Sequence, residues 1–200
     1  MNTLMNAATF GLTVYHASRA MLQANAHFEE IQYKVPADLT NRVPGLRRYI
    51  KLIIADRPCS PSFFGTNNFN GAAVQIPSGM IVGDTAGTNY FLLRQLYHIK
   101  NNTGLKSEVE KSIATFAAAI LGLIVNKLYE VPRSFPVLVA ESLTLALDHT
   151  RDVAARNFAL KTSTDDELKG ALKIFKSCHY LSDESEFIEK ELKDRNIKSR

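Results

Sequence analysis

The stretch SIATFAAAILGLIVNKL, at 112–128, constrains the chain more than any other. Its uncharged part falls short of the roughly 20 apolar residues that carry a helix across a bilayer. The run therefore has two outlets. It is covered by the rest of the protein as a core helix, or it touches a membrane surface as one arm of a helical hairpin. A core helix is the expectation: 46% of the 200 residues are hydrophobic, enough for one domain with a proper core.

Charge excludes some partners. The formal net charge is +4, with both signs interspersed. The densest basic stretch, RVPGLRRYIK at 42–51, reads as a solvated approach to a strand, so nucleic acid is not an expected partner. The two cysteines, Cys59 and Cys178, match no ligand spacing; free thiols in a reducing compartment are expected, with a single disulfide as the alternative. The N-terminal stretch has an uncharged start, and His16 and Arg19 interrupt its apolar centre. It reads as an amphipathic helix over 1–32 rather than a secretory leader, so secretion is not expected. The expected location is cytoplasmic, or membrane-associated on the reducing side.

Along the chain, KVPADLTNRVPG reads as a loop and RRYIKLIIAD (47–56) as a strand, from its β-branched, alternating character. RPCSPSFFGTNNFNG is a long connection rich in turn formers. AAVQI and MIVGD flank a Pro-Ser-Gly turn and read as two short strands, paired as a hairpin. Helices follow over 88–102, 106–129 and 134–160. Thr164 with Glu167 forms a capping box opening a helix over 165–177. A charged helix, DESEFIEKELKDRN, closes the chain. The expected class is α+β, a small sheet followed by a mostly helical bundle. The expected divisions are 1–32, a central domain over 33–160, and C-terminal helices over 161–200.

One helix carries a chemical question. LLRQLYHIKNN, at 92–102, has His98 on an amphipathic face and Arg94 four residues before it. Zinc peptidases write H-E-x-x-H here: residues at i and i+4 share a face, so both histidines reach one metal, and the glutamate activates a bound water. Four stretches resemble, in order, the HtpX-like and CAAX-prenyl-protease-type zinc metallopeptidases. IKLIIAD is similar to the first strand of that family and NFNGAAVQIPSGMIVGD to its hairpin. LLRQLYHIKNN is similar to the zinc helix, and RDVAARNFAL (151–160) to the segment with the third ligand. The resemblance covers about residues 48–160 and implies a minimal zincin-like domain.

The departures from that family bear on its chemistry. Arg94 stands at the first histidine, Gln95 at the catalytic glutamate and Tyr97 at a small residue; His98 matches. Asp152 stands at the third ligand, and Arg156 where a neighbouring aspartate would be. Glutamine accepts no proton at neutral pH, and arginine offers no lone pair to a metal. The resemblance thus implies a pseudopeptidase with no cofactor, in which an Arg94–Asp152 ion pair replaces the metal. It would act as a structural or polypeptide-binding subunit, holding a polypeptide or protein partner along an edge strand, Gly71, Ala72, Ala73, Val74, Gln75 and Ile76. Two alternatives stand beside it. His149 and Asp152, three apart, could join His98 in a non-standard zinc site of an active hydrolase. Or the chain is a membrane-adjacent helical protein, touching a membrane surface through 112–128. His16, His27 and His179 have no metal spacing and read as structural or exposed.

Overall fold

The structure, a computed structural model, describes residues 2–25, 33–46, 50–55, 64–68, 71–77, 85–129, 132, 134–177 and 183–198. In chain order the elements are α1 (Asn2–Asn25), β1 (Tyr33–Lys34), α2 (Ala37–Asn41), β2 (Ile50–Ala55), β3 (Phe64–Asn68) and β4 (Gly71–Pro77). Then come α3 (Thr85–Lys100), α4 (Thr103–Leu128), α5 (Phe135–Thr162), α6 (Asp165–Ser177) and α7 (Asp183–Lys198).

These elements correct the expected α+β, zincin-like class. The protein is mostly helical. Its helices reach 24, 26 and 28 residues, whereas the strands have 2, 6, 5 and 7. The stretch expected to be a loop, 34–45, holds α2 and the second residue of β1, and the long connection holds β3. Residues 80–84, expected as the second strand of a hairpin with AAVQI, lie outside the described residues.

The chain divides into two compact units. The first comprises Met1–His27, Asn68–Asn70 and Asn102–Val153; the second comprises Phe28–Asn67, Gly71–Asn101 and Ala154–Arg200. The residues of α5 are thus shared between them.

In the second unit the four strands run in the order β1-β2-β4-β3. β1 is antiparallel to β2, and β2 is parallel to β4, Leu52 standing opposite Val74. Successive residues of β4, Ala72, Ala73 and Val74, are all buried. Since alternate side chains of a strand point to opposite faces, both faces of β4 are covered, as parallel pairing requires. The edge-strand placement expected of Gly71, Ala72, Ala73, Val74, Gln75 and Ile76 is corrected here. They form an interior strand whose backbone is already paired with β2 and β3, and the sheet ends on β1 and β3. A strand with neighbours on both sides has no open ladder to offer a peptide.

Helix α3 is the centre of this unit. Tyr90, Phe91, Leu92, Leu93, Leu96 and Ile99 are buried, covering every side of it, which marks a helix enclosed by its neighbours. Its core partners come from the sheet (Ile50, Val74, Ile76) and from the C-terminal helices (Leu168, Phe175, Ile188). Close approach to α6 rests on glycine. A Cβ added to Gly87 would lie 2.4 Å from the backbone carbon of Gly170.

In the first unit α1 and α4 run antiparallel, because Phe10 meets Phe116, Thr13 meets Thr115 and His16 meets Glu108. Asn102, just before α4, takes the left-handed conformation at φ 50°, which asparagine tolerates better than most residues.

Candidate functional site

The helix that carries the sequence motif is α3, and its periodicity decides which side chains converge. Tyr90, Arg94 and His98 are spaced four apart and share a face. Opposite stands Glu184, in the first turn of α7, where a carboxylate is favoured by the exposed N–H groups of the helix start. Arg94 donates from Nη1 to both carboxylate oxygens of Glu184, at 2.7 and 2.6 Å. Tyr90 donates from its hydroxyl to the same carboxylate at 2.8 Å. The ion pair is enclosed: the Arg94 and Glu184 side chains are 17% and 15% exposed. Burial, then the charge and hydrogen bond of Glu184, push the Tyr90 phenol far above its ordinary range.

Arg156 continues the cluster. It stands at the end of α5 that belongs to the second unit, and its guanidinium carbon lies 3.7 Å from the centroid of the Phe187 ring, a cation–π contact. Gln95, adjacent to Arg94, is 9% exposed. Tyr97 stacks at a tilt on Phe158, the ring centroids 5.1 Å apart.

A second buried carboxylate, Glu167, organises the start of α6. It accepts both hydrogen bonds of an Arg42 Nη1 fork, at 2.9 and 2.8 Å, and one from Asn89 at 3.0 Å. It also closes the capping box read from the sequence. The Thr164 N–H donates to Glu167 at 2.8 Å, and the Glu167 N–H donates to the Thr164 hydroxyl at 3.3 Å. Arg195 of α7 ties the end of α5 to the start of α6. It donates to the Leu160 and Ser163 carbonyls and to Asp165. Burial works against its charge, but Asp165 and Glu191 outweigh that and raise its pKa.

The residues expected at the site are placed as follows. Arg94, Gln95 and His98 lie on α3 in the second unit, with Arg94 held by Glu184. His149 and Asp152 are exposed residues of α5 in the first unit. Among the described residues no three or more His, Cys, Asp or Glu side chains form a group that could hold a metal ion. The sequence reading missed Tyr90 and Glu184. A signal for Glu184 existed in the last helix, where Glu184, Phe187 and Ile188 fall at i, i+3 and i+4, one face. The density of charge in that helix masked it.

No family model, no curated protein and no solved structure matches the chain.

Proposed function

We propose that this protein acts by binding, as a non-catalytic structural or polypeptide-binding subunit. One observation carries the reading: the helix face that a zinc peptidase would devote to metal and base is occupied by the Arg94–Glu184–Tyr90 cluster. Its charge is neutralised from within the second unit, at distances of 2.6 to 2.8 Å. A guanidinium held in this way is a fixed cation on the face where zinc would sit, and it opposes a divalent ion. Gln95, at the position of the base, can position a group but cannot take its proton. With β4 enclosed in the sheet, the polypeptide partner docks elsewhere than along 71–76. The chain operates in a reducing compartment, in the cytoplasm or on that side of a membrane.

Elemental analysis of protein purified without chelator tests this reading. The expected result is zinc far below one equivalent and no hydrolysis of an unfolded polypeptide. Stoichiometric zinc that disappears in His98→Ala would overturn it in favour of a hydrolase. Descent from the HtpX-like peptidases is a separate proposal, carried by the four sequence stretches. It is tested by Arg94→His with Gln95→Glu, which is expected to take up zinc if α3 descends from H-E-x-x-H.

A further inference from the structure

The first unit has its polarity reversed. On α4 the residues turned inward are polar or small: Ser107, Glu108, Thr115, Ala118 and Ala119 are buried. The residues turned outward are large and apolar: Val109, Ile113, Phe116, Ile120, Leu123 and Ile124 are all exposed. At 100° per residue these two sets fall on opposite faces of one helix. Helix α1 repeats the inversion. Thr9 and Ala20 are buried and Thr13 and His16 face α4, whereas Phe10, Val14, Met21 and Leu22 face out. A helix pair assembled in water places its apolar stripe between the helices and its polar residues outside.

The bonds across the seam fit the inversion. Thr13 donates to the Thr115 hydroxyl at 3.0 Å, Ser112 donates to the Thr13 carbonyl at 3.3 Å, and His16 meets Glu108 at 2.8 Å. Small residues and interhelical hydrogen bonds hold helices together where the surroundings are as apolar as the side chains, so that apolar burial between helices gains nothing. Phe10 and Phe116, their ring centroids 5.9 Å apart, meet at the edge of the seam and stay exposed. A second copy of the chain covering this exterior would leave the buried Glu108 and Thr115 without a reason, because a helix pair formed in water buries its apolar stripe first.

Charge on the exterior has one sign. Helix α1 contains no acidic residue, and α4 contains none after Glu110. Lys127 is exposed there, whereas Arg19, half-exposed, stands at the edge of the seam 3.8 Å from Glu108. Among the described residues no helix is long and apolar enough to cross a membrane. The strip from Val109 to Leu128 is about 28 Å long at 1.5 Å per residue.

We infer that the outward faces of α1 and α4 dock on a lipid surface bearing anionic headgroups, their aliphatic side chains entering the acyl boundary and Lys127 meeting the headgroups. This inference is independent of the reading of α3. The charged cluster at the start of α4 stays on the water side: Lys111 bridges to Asp148 at 2.5 Å, and Arg151 pairs with Glu110.

The chain has no tryptophan, so one introduced tryptophan is a unique reporter. The Leu121→Trp protein is mixed with vesicles of phosphatidylcholine alone or with one third phosphatidylserine. The expected result is flotation with the anionic vesicles, a blue-shifted emission, and quenching by lipids brominated near the top of the acyl chain. Ile120→Glu with Ile124→Glu, both at exposed positions, is expected to keep the helical circular dichroism and lower the partition coefficient by about a hundredfold. Unchanged emission with both vesicle types would overturn the inference. So would sedimentation as a dimer that the double variant converts to a monomer without any vesicle binding, which would assign the face to a second copy.

Discussion

Glu184 is the residue on which the second unit's polar chemistry turns. Arg94 and Tyr90 both address it, and all three are largely shielded from water. Glu184→Ala would take from the Arg94 guanidinium a carboxylate that it meets at 2.6 Å in a poorly hydrated place. The expected cost is about 3 kcal/mol in urea unfolding, the range seen when one member of a buried pair is removed. Replacing both together, as Arg94→Met with Glu184→Leu, is expected to cost less than Glu184→Ala alone, because no charge is stranded. A comparable or larger loss would show that the pair is not the source of the cost. Tyr90 adds a pH dependence. Its folded pKa lies above the ordinary value of 10.0, so above that pH the unfolded chain has lost the proton while the folded chain keeps it. Stability therefore falls as pH rises through the alkaline range, by up to about 1.4 kcal/mol per unit. The Tyr90→Phe protein is expected to lack this contribution, and urea midpoints at pH 9 and 11 measure the difference. Little of this was legible beforehand. The sequence did single out Arg94, by its position in the motif. Its bond to Glu184 joins residues 90 apart in the chain, and no local pattern specifies a pairing at that distance.

At the scale of elements, signals confined to one turn of chain were the readable ones. The Thr164–Glu167 capping box joins residues three apart, and α6 begins at Asp165 as the box requires. The β-branched run at 50–55 forms β2 because its side chains suit a pleated sheet. The order of strands was not readable, because a parallel β2–β4 pair with β3 beyond it depends on a crossover that no residue pattern marks. Glycine packing was equally hidden. Gly87 lies in a helix, where glycine is unfavourable to the backbone, and its reason is the α6 backbone passing against it. Gly87→Ala gains helix propensity of up to about 1 kcal/mol, yet its Cβ would meet Gly170 and Ala171 backbone atoms at 2.4 to 2.7 Å. Backbone cannot give way as a flexible side chain does. The clash is expected to win, with a net loss of about 2 kcal/mol and a lower melting temperature. A rise in melting temperature would mean that α3 and α6 do not approach so closely.

Across the whole molecule the amino-acid sequence determined where most helices run, because amphipathic and apolar periods act over a few turns. It also marked 112–128 as the stretch whose surroundings matter most. The period of a helix shows that it has two faces. It does not show which face meets a neighbour. In α4 the buried face carries Glu108 and Thr115 and the exposed one Ile113 and Ile124, the reverse of the core helix expected from composition. Tertiary structure alone decided that, since α1 supplies Thr13 and His16 as partners for the polar face and leaves the aliphatic face uncovered. It decided in the same way that β4 is an interior strand and that Arg94 meets Glu184 of α7. The physical reason is shared. Local propensity depends on residues a few positions apart, whereas which surface is buried, and which charge is neutralised, depends on segments that only folding brings together.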